Sequence, residues 1–216
     1  ALHFFNLALA YNGAVDNQPG VVRSWNSIGK VYAATDQPDL AEKSYVDALN
    51  LARLLDDNEL VALSLNNMGE LYLKVKSYDK AREQLQEALS LSDRIPFRQT
   101  SIIHHNMGIV QKKTGMRDEA MMSFRRALQI NLDQKRYEEV ASNYYMISSL
   151  HAEEDDYEKA KEYILKAIEA DRKVENSLGI AKDYQALGII STHLGEEEEA
   201  YRHFRTCLFT YESLLT

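Results

Sequence analysis

Five stretches of the chain, WNSIGKVY, LNNMGELY, HHNMGIVQ, YMISSLHA and QALGIIST, align on Gly29, Gly69, Gly108, Ser148 and Gly188 at steps of 40, 39, 40 and 40 residues. A period of this size means that one supersecondary unit recurs, and that each unit buries its apolar face only by stacking on the next. Three further columns keep the same register. Twelve residues after each small residue stands an alanine, at Ala41, Ala81, Ala120, Ala160 and Ala200. Four positions on come Tyr45, Leu85, Phe124, Ile164 and Phe204, and three beyond those Ala48, Ala88, Ala127, Ala167 and Cys207. Spacings of three and four place these residues on one face of a helix, where small and large side chains alternate.

The composition fits helices. The chain has 216 residues, 45% of them hydrophobic, with 9 Gly and 3 Pro. That is enough apolar material for a substantial core and little of the turn chemistry that short strands need. Helices are expected at 21–35, 38–55, 59–75, 78–93, 97–114, 117–132, 137–153, 156–173, 177–193 and 197–213. Seven residues after each small residue the first helix of a pair should stop, at Asp36, Lys76, Gly115, Asp155 and Gly195; glycine there supplies a left-handed C-terminal cap. Pro38 follows the first of these turns, and Asp118, Glu119 and Glu196 to Glu199 open second helices, where the helix dipole favours negative charge.

The first repeat carries a resemblance to the tetratricopeptide repeat, whose W-x2-L-G-x2-Y…A-x3-F pattern appears as Trp25, Ile28, Gly29, Tyr32, Ala41 and Tyr45. The resemblance covers nearly the whole chain. It implies an all-α fold, a right-handed α-solenoid of antiparallel helix hairpins forming a single domain. Its repeats run over 19–58, 59–96, 97–136, 137–176 and 177–216, and residues 1–18 supply the second helix of a truncated repeat, since Ala1, Phe5 and Ala8 lie one period before Ala41, Tyr45 and Ala48. An upstream helix is therefore expected in a longer protein. Two features depart from the family pattern. The unit is 40 rather than 34 residues, so a longer second helix is expected, as in the long-repeat branch with its NLG-like motif, and no copy has the closing proline. The column of Tyr32 and Tyr72 also changes to Gln111, His151 and Ser191 in later copies.

In such a solenoid the first helices line a concave groove, and the columns not used for packing are candidates for partner binding. They are Arg23, Asn26, Ser27 and Lys30; Asn66, Asn67, Glu70 and Lys74; His105, Asn106, Lys112 and Lys113; then Tyr145, Ser149, Glu153, Lys182, Gln185 and His193. Six of these are basic (Arg23, Lys30, Lys74, Lys112, Lys113, Lys182) against Glu70 and Glu153, in a chain of net charge −8. A basic groove attracts an acidic segment. Asn67 and Asn106 stand where related asparagines bind the backbone of an extended peptide. The family's clamp for a chaperone C-terminal carboxylate is not expected, because only Asn67 fits it and Ile102 fills a required basic place.

Net negative charge argues against a role in coating nucleic acid or anionic lipid. No enzyme motif is present: no G-x-S-x-G, phosphate-binding loop or H-E-x-x-H. The chain is read as a non-enzyme that needs no cofactor or metal. His104 and His105 are neighbours pointing about 100° apart on a helix, a poor arrangement for joint metal binding. His151, Trp25 and Cys207 fall in core columns, and Met121 and Met122 read as packing. A lone cysteine excludes an internal disulfide and slightly favours a reducing compartment, so the cytoplasm is expected.

The expected function is that of an adaptor or scaffold holding a partner peptide or protein segment. The alternatives are a regulatory sensor module of a larger signalling protein, in which a bound peptide shifts an attached domain, or self-assembly into a homo-oligomer through open ends bearing Phe5, Phe209 and Leu214.

Overall fold

A computed structural model describes residues 1–214, and eleven α-helices account for nearly all of them. They are α1 (Leu2–Ala14), α2 (Gln18–Ala34), α3 (Pro38–Leu54), α4 (Asn58–Lys74), α5 (Tyr78–Leu89), α6 (Phe97–Lys113), α7 (Arg117–Asp133), α8 (Tyr137–Glu153), α9 (Tyr157–Lys173), α10 (Ser177–His193) and α11 (Glu197–Ser213). Among the described residues there is no strand. The chain divides into two compact units, the first from Ala1 to Gly115 and the second from Met116 onward. Within the first, α2 packs on α1 and α3, α4 on α3 and α5, and α4 also touches the alternate helices α2 and α6. Within the second, α8 packs on α7 and α9, and α10 on α9 and α11, with α8 also touching α10.

The helices form where the periodicity places them, with one difference in length. Both helices of a repeat have 17 residues, as in α2 and α3, so the second helix is not the longer one. The reason lies in the turns. Asp36, Lys76, Gly115, Asp155 and Gly195, at the ends of first helices, all take positive φ, between 58° and 77°. So do Asp16, Asp56, Lys135 and Glu175 between repeats, with φ of 52° to 55°. Each left-handed residue lets the next amide reach back five positions, as in Gln37 N–H to the Tyr32 carbonyl (2.9 Å) and Asp156 N–H to the His151 carbonyl (3.0 Å). This closes the helix in a Schellman-type cap. The same turn after both helices makes a half-repeat of twenty residues, 17 helical and three connecting. The link after α5 is the exception. That helix stops at Leu89, a 3₁₀ turn runs over Ser92–Arg94, and Pro96 precedes α6.

Asn17, Asp57, Asp156 and Asn176 each accept a hydrogen bond from the amide three residues on, satisfying an orphan donor of the helix that follows. The small-residue column acts by contact. A Cβ on Gly29 would lie 2.4 Å from the Tyr45 ring, one on Gly69 2.7 Å from Leu85 Cγ, and one on Gly188 2.7 Å from the Phe204 ring. Ser148 occupies the column by donating a 2.7 Å hydrogen bond to the Ala160 carbonyl. Ala41, Ala48, Ala81, Ala88, Ala160 and Ala167 are wholly buried, so facing helices come together along stripes without large side chains. Trp25 and Tyr32 are half-buried against the first unit's core. Cys207 is buried, as its column implies, whereas Met122 is 63% exposed rather than packed.

Gly69→Ala is expected to destabilise the chain by roughly 1–3 kcal/mol through overpacking against Leu85. Combined with Leu85→Ala it should cost less than the sum of the two single changes, because the new methyl group enters the vacated space. Urea unfolding followed by circular dichroism measures the cycle, and strict additivity would show that the two residues do not form the contact that fixes the hairpin.

Candidate functional site

The first unit brings Asn26, Asn66, Asn67 and Asn106 together, but not as a free surface. All four are buried, at 1–7% exposure, so these columns belong to the packing between successive first helices. Asn26 of α2 donates to Ser64 Oγ of α4 (2.9 Å) and to its own helix at the Val22 carbonyl (3.1 Å). Asn67 of α4 donates back to Asn26 Oδ1 at 2.6 Å. One repeat on, Asn106 of α6 donates to Asn66 Oδ1 (2.9 Å) and to Glu70 Oε1 (3.0 Å), while Asn66 donates to the same Glu70 oxygen at 2.9 Å. The amides form a ladder that ties α2 to α4 and α4 to α6. Removing one rung leaves a buried partner unsatisfied, at a cost of about 1–3 kcal/mol.

One acceptor stands outside the ladder. Asn67 Oδ1 is buried and has no hydrogen-bond partner, and Asn67 lines a cleft of about 230 Å³ with Lys30, Ala33, Ala34, Tyr45, Glu70, Leu71 and Lys74. The exposed cations flanking the ladder are not all unengaged. Arg23 pairs with Glu59 at 3.3 Å. Lys74 lies 3.5 Å from Asp36 and donates to the Ala33 carbonyl. Lys30 and Lys113 are exposed, and His105 and Lys112 are half-buried.

In the second unit, Tyr145 and Ser149 are half-buried and Glu153, Lys182, Gln185 and His193 exposed. Tyr145 and Lys182 line a cavity of about 420 Å³ with Glu138, Asp171, Asn176, Gly179 and Asp183. Its two aspartates, Asp171 and Asp183, were not among the candidates read from the sequence. Both are 3% exposed. Burial, with Asp171 nearby, pushes the Asp183 carboxyl up to about 8. Burial raises Asp171 as well, opposed by the hydrogen bond it accepts from Asn176 Nδ2 at 3.0 Å. A signal for Asp183 did exist, since it falls in the column of Ser24, Ser64, Ile103 and Asn143, all buried.

The histidines behave as aromatic packing. His151 is buried and stacks on Tyr163, with centroids 5.4 Å apart, and its Nδ1 lies 3.7 Å from Asp156 Oδ2. His193 stacks on Tyr157 at 4.3 Å. Among the described residues no three His, Cys, Asp or Glu side chains form a group suited to a metal ion, and no helix is long and apolar enough to cross a membrane.

The tetratricopeptide repeat pattern matches residues 20–94, 60–133 and 141–174. The chain belongs to the tetratricopeptide repeat family, and its helical hairpins are those of tetratricopeptide solenoids. Comparison with curated proteins returns no significant match. Among solved structures, BtubC from P. vanneervenii is similar over 99% of this chain and 90% of its own, with 17% identity and a TM-score of 0.88. MamA from Desulfovibrio magneticus RS-1 is similar over 89% of this chain and 96% of its own, with 18% identity and a TM-score of 0.63. The apo form of RapI is similar over 96% of this chain and 60% of its own, with 17% identity and a TM-score of 0.75. At these identities the likeness is one of fold.

The buried Asp183 makes stability depend on pH with a definite sign. The native carboxyl keeps its proton up to about 8, whereas the unfolded one loses it near pH ~4. Between these values the native state binds the extra proton, so stability falls as pH rises, by at most about 1.4 kcal/mol per pH unit. Asp183→Asn should flatten this slope and raise the melting temperature at pH 8. Thermal unfolding from pH 5 to 8 tests it, and identical slopes for the two proteins would show that Asp183 is ionised in the native state.

Proposed function

We propose that the chain is an interaction module that holds an extended segment of a partner protein against α2 and α4 of the first unit. The observation that carries this is the Asn67 amide. Its nitrogen is committed to Asn26 Oδ1, which fixes the side chain, while its oxygen is buried without a donor in a residue that lines the cleft. A backbone N–H of an extended peptide supplies the missing donor without reference to sequence. Lys30 and Lys74 on the same cleft favour a carboxylate in the segment, with Glu70 between them limiting how acidic it can be. The ladder beneath contributes rigidity, since each amide has one orientation that satisfies its neighbours, and a preorganised surface loses less entropy on binding. Repeat proteins bind in this way, through modest contacts spread over several units. A scaffold role in the cytoplasm, without catalysis, is the corresponding reading for the chain as a whole.

Selection from a random peptide display on the full chain tests the proposal. The enriched peptides should carry acidic residues, and their affinity should fall at least tenfold for Lys30→Glu/Lys74→Glu, with the Asn67 side-chain amide signals shifting on binding. Enriched peptides without acidic bias, bound equally by the charge-reversed chain, would overturn it and direct attention to the exposed apolar faces of α1 and α11, which bear Phe4, Leu7 and Phe209.

A further inference from the structure

The second unit repeats a contact of the first with its chemistry changed. In the first unit Asn12, at the end of α1, donates through Nδ2 to Ser24 Oγ of α2, at 3.2 Å, and accepts from Asn17 at 2.8 Å. Ser24 passes a hydrogen bond on to the Gly20 carbonyl at 2.8 Å. Every buried oxygen in this set meets a donor. Four repeats later the equivalent residues are Asp171, Asn176, Gly179 and Asp183. Asn176 still donates to Asp171 Oδ1, but the amide that faced a hydroxyl has become a carboxyl facing a carboxyl. Ser24, Ser64 and Asn143 each donate to the carbonyl four residues back; an ionised Asp183 has no proton to give. Its Oδ2 is buried and has no partner.

Asp183 and Asp171 line a cavity of about 420 Å³, large enough for a small organic group. Gly179 keeps it open, for a Cβ there would lie 1.9 Å from Asp171 Oδ2. We propose that the cavity between α8, α9 and α10 is a binding site for a guanidinium group, held by Asp183 and Asp171 beside the ring of Tyr145. Three carboxyl groups, Glu138, Asp171 and Asp183, line the cavity against one cation, Lys182, so a ligand with positive charge and several donors is favoured. Guanidinium has five N–H groups in a planar fork, is weakly hydrated and stacks on aromatic rings, which makes it the cation most readily buried. A metal ion is disfavoured, because the acidic groups do not assemble into a metal-binding cluster among the described residues. Tyr145 also lines a smaller apolar cleft with Ile164, Ile189 and Ile190, so an arginine next to an apolar residue in a peptide engages more of the surface than free arginine does.

The ionisable groups on the cavity are Glu138 and Tyr145 from α8, Asp171 from α9 and Lys182 and Asp183 from α10, and α11 contributes none. The Lys182 charge favours ionised Asp171 and the Glu138 charge opposes it. An entering cation displaces the proton of Asp183, so binding should tighten roughly tenfold per pH unit below about 8.

The test is calorimetric titration of the full chain with three probes, acetyl-Arg-Leu-amide, free arginine and butylamine, with magnesium chloride as a fourth. Saturable binding of the guanidinium probes is expected, weaker for butylamine, with proton release at pH 7 and at least tenfold loss in Asp183→Asn. Preference for the peptide over arginine assigns the guanidinium to a partner chain, and the reverse assigns it to a small metabolite. The proposal is overturned if no guanidinium probe binds while the Asp183 carboxyl titrates near 8 by ¹³C NMR, which would mean that a proton alone resolves the deficit. Binding unchanged in Asp183→Asn, or preference for magnesium, overturns it equally. Because the site lies wholly in the second unit, failure here leaves the α2–α4 cleft reading intact, and the Lys30→Glu/Lys74→Glu variant should bind these probes like the unmodified chain.

Discussion

The contact between a glycine of one helix and the large side chain sixteen positions on is the constraint from which the hairpins follow. Gly29 against Tyr45, Gly69 against Leu85 and Gly188 against Phe204 leave no room for a single added carbon. Such contact fixes the separation of the two helices and the rotation of each about its axis. Once rotation is fixed, the alanines face inward and the positions between them are directed to the neighbouring repeat. The turns serve the same constraint. Three connecting residues, one of them left-handed, return the chain at the same phase after every 17-residue helix, so that small residues meet large ones again in the next pair.

Left-handed backbone costs little in glycine and more elsewhere, yet seven of the nine positive-φ turn residues are Asp, Lys or Glu. At Asp16, Asp36, Asp56, Lys76, Lys135, Asp155 and Glu175 the helix-closing hydrogen bonds and the packing on either side outweigh the modest strain of an L-residue there. Glycine is therefore an incomplete guide to where these helices end. The count from the small-residue column is the better one, and it located all five turns that follow first helices.

Helix positions, hairpin pairing and the burial of Ala41, Tyr45, Leu85 and Cys207 were legible in the sequence because they rest on recurrence. The asparagines were not. Asn26, Asn66, Asn67 and Asn106 look like a solvated face when a repeat is considered by itself, and they are buried because first helices of successive repeats approach closely enough for amide to meet amide. An amide carries both donor and acceptor, so a pair of them satisfies itself inside a core as well as in water. Nothing in the identity of one asparagine separates these outcomes. The pairing of the cations is hidden in the sequence for a related reason. Arg23 and Lys74 find Glu59 and Asp36 one helix away, which reduces the positive charge the groove presents.

Asp183 shows where recurrence carries functional information. Its column holds serine twice, isoleucine and asparagine, each neutral and each compatible with burial. A carboxyl at that place keeps the geometry of the repeat and gives up stability, since burial, with Asp171 nearby, holds it protonated at neutral pH. A sequence that is locally consistent nearly everywhere departs from the rule at few positions, and such departures concentrate where a site is maintained at the expense of the fold. The second departure, Asp171 in place of the amide at Asn12, falls twelve residues away on the same cavity. Two independent losses of a donor at one contact are harder to reconcile with packing than either alone. They separate the second unit from the first in the charge of what it can accept, although both are built from the same twenty-residue half-repeat.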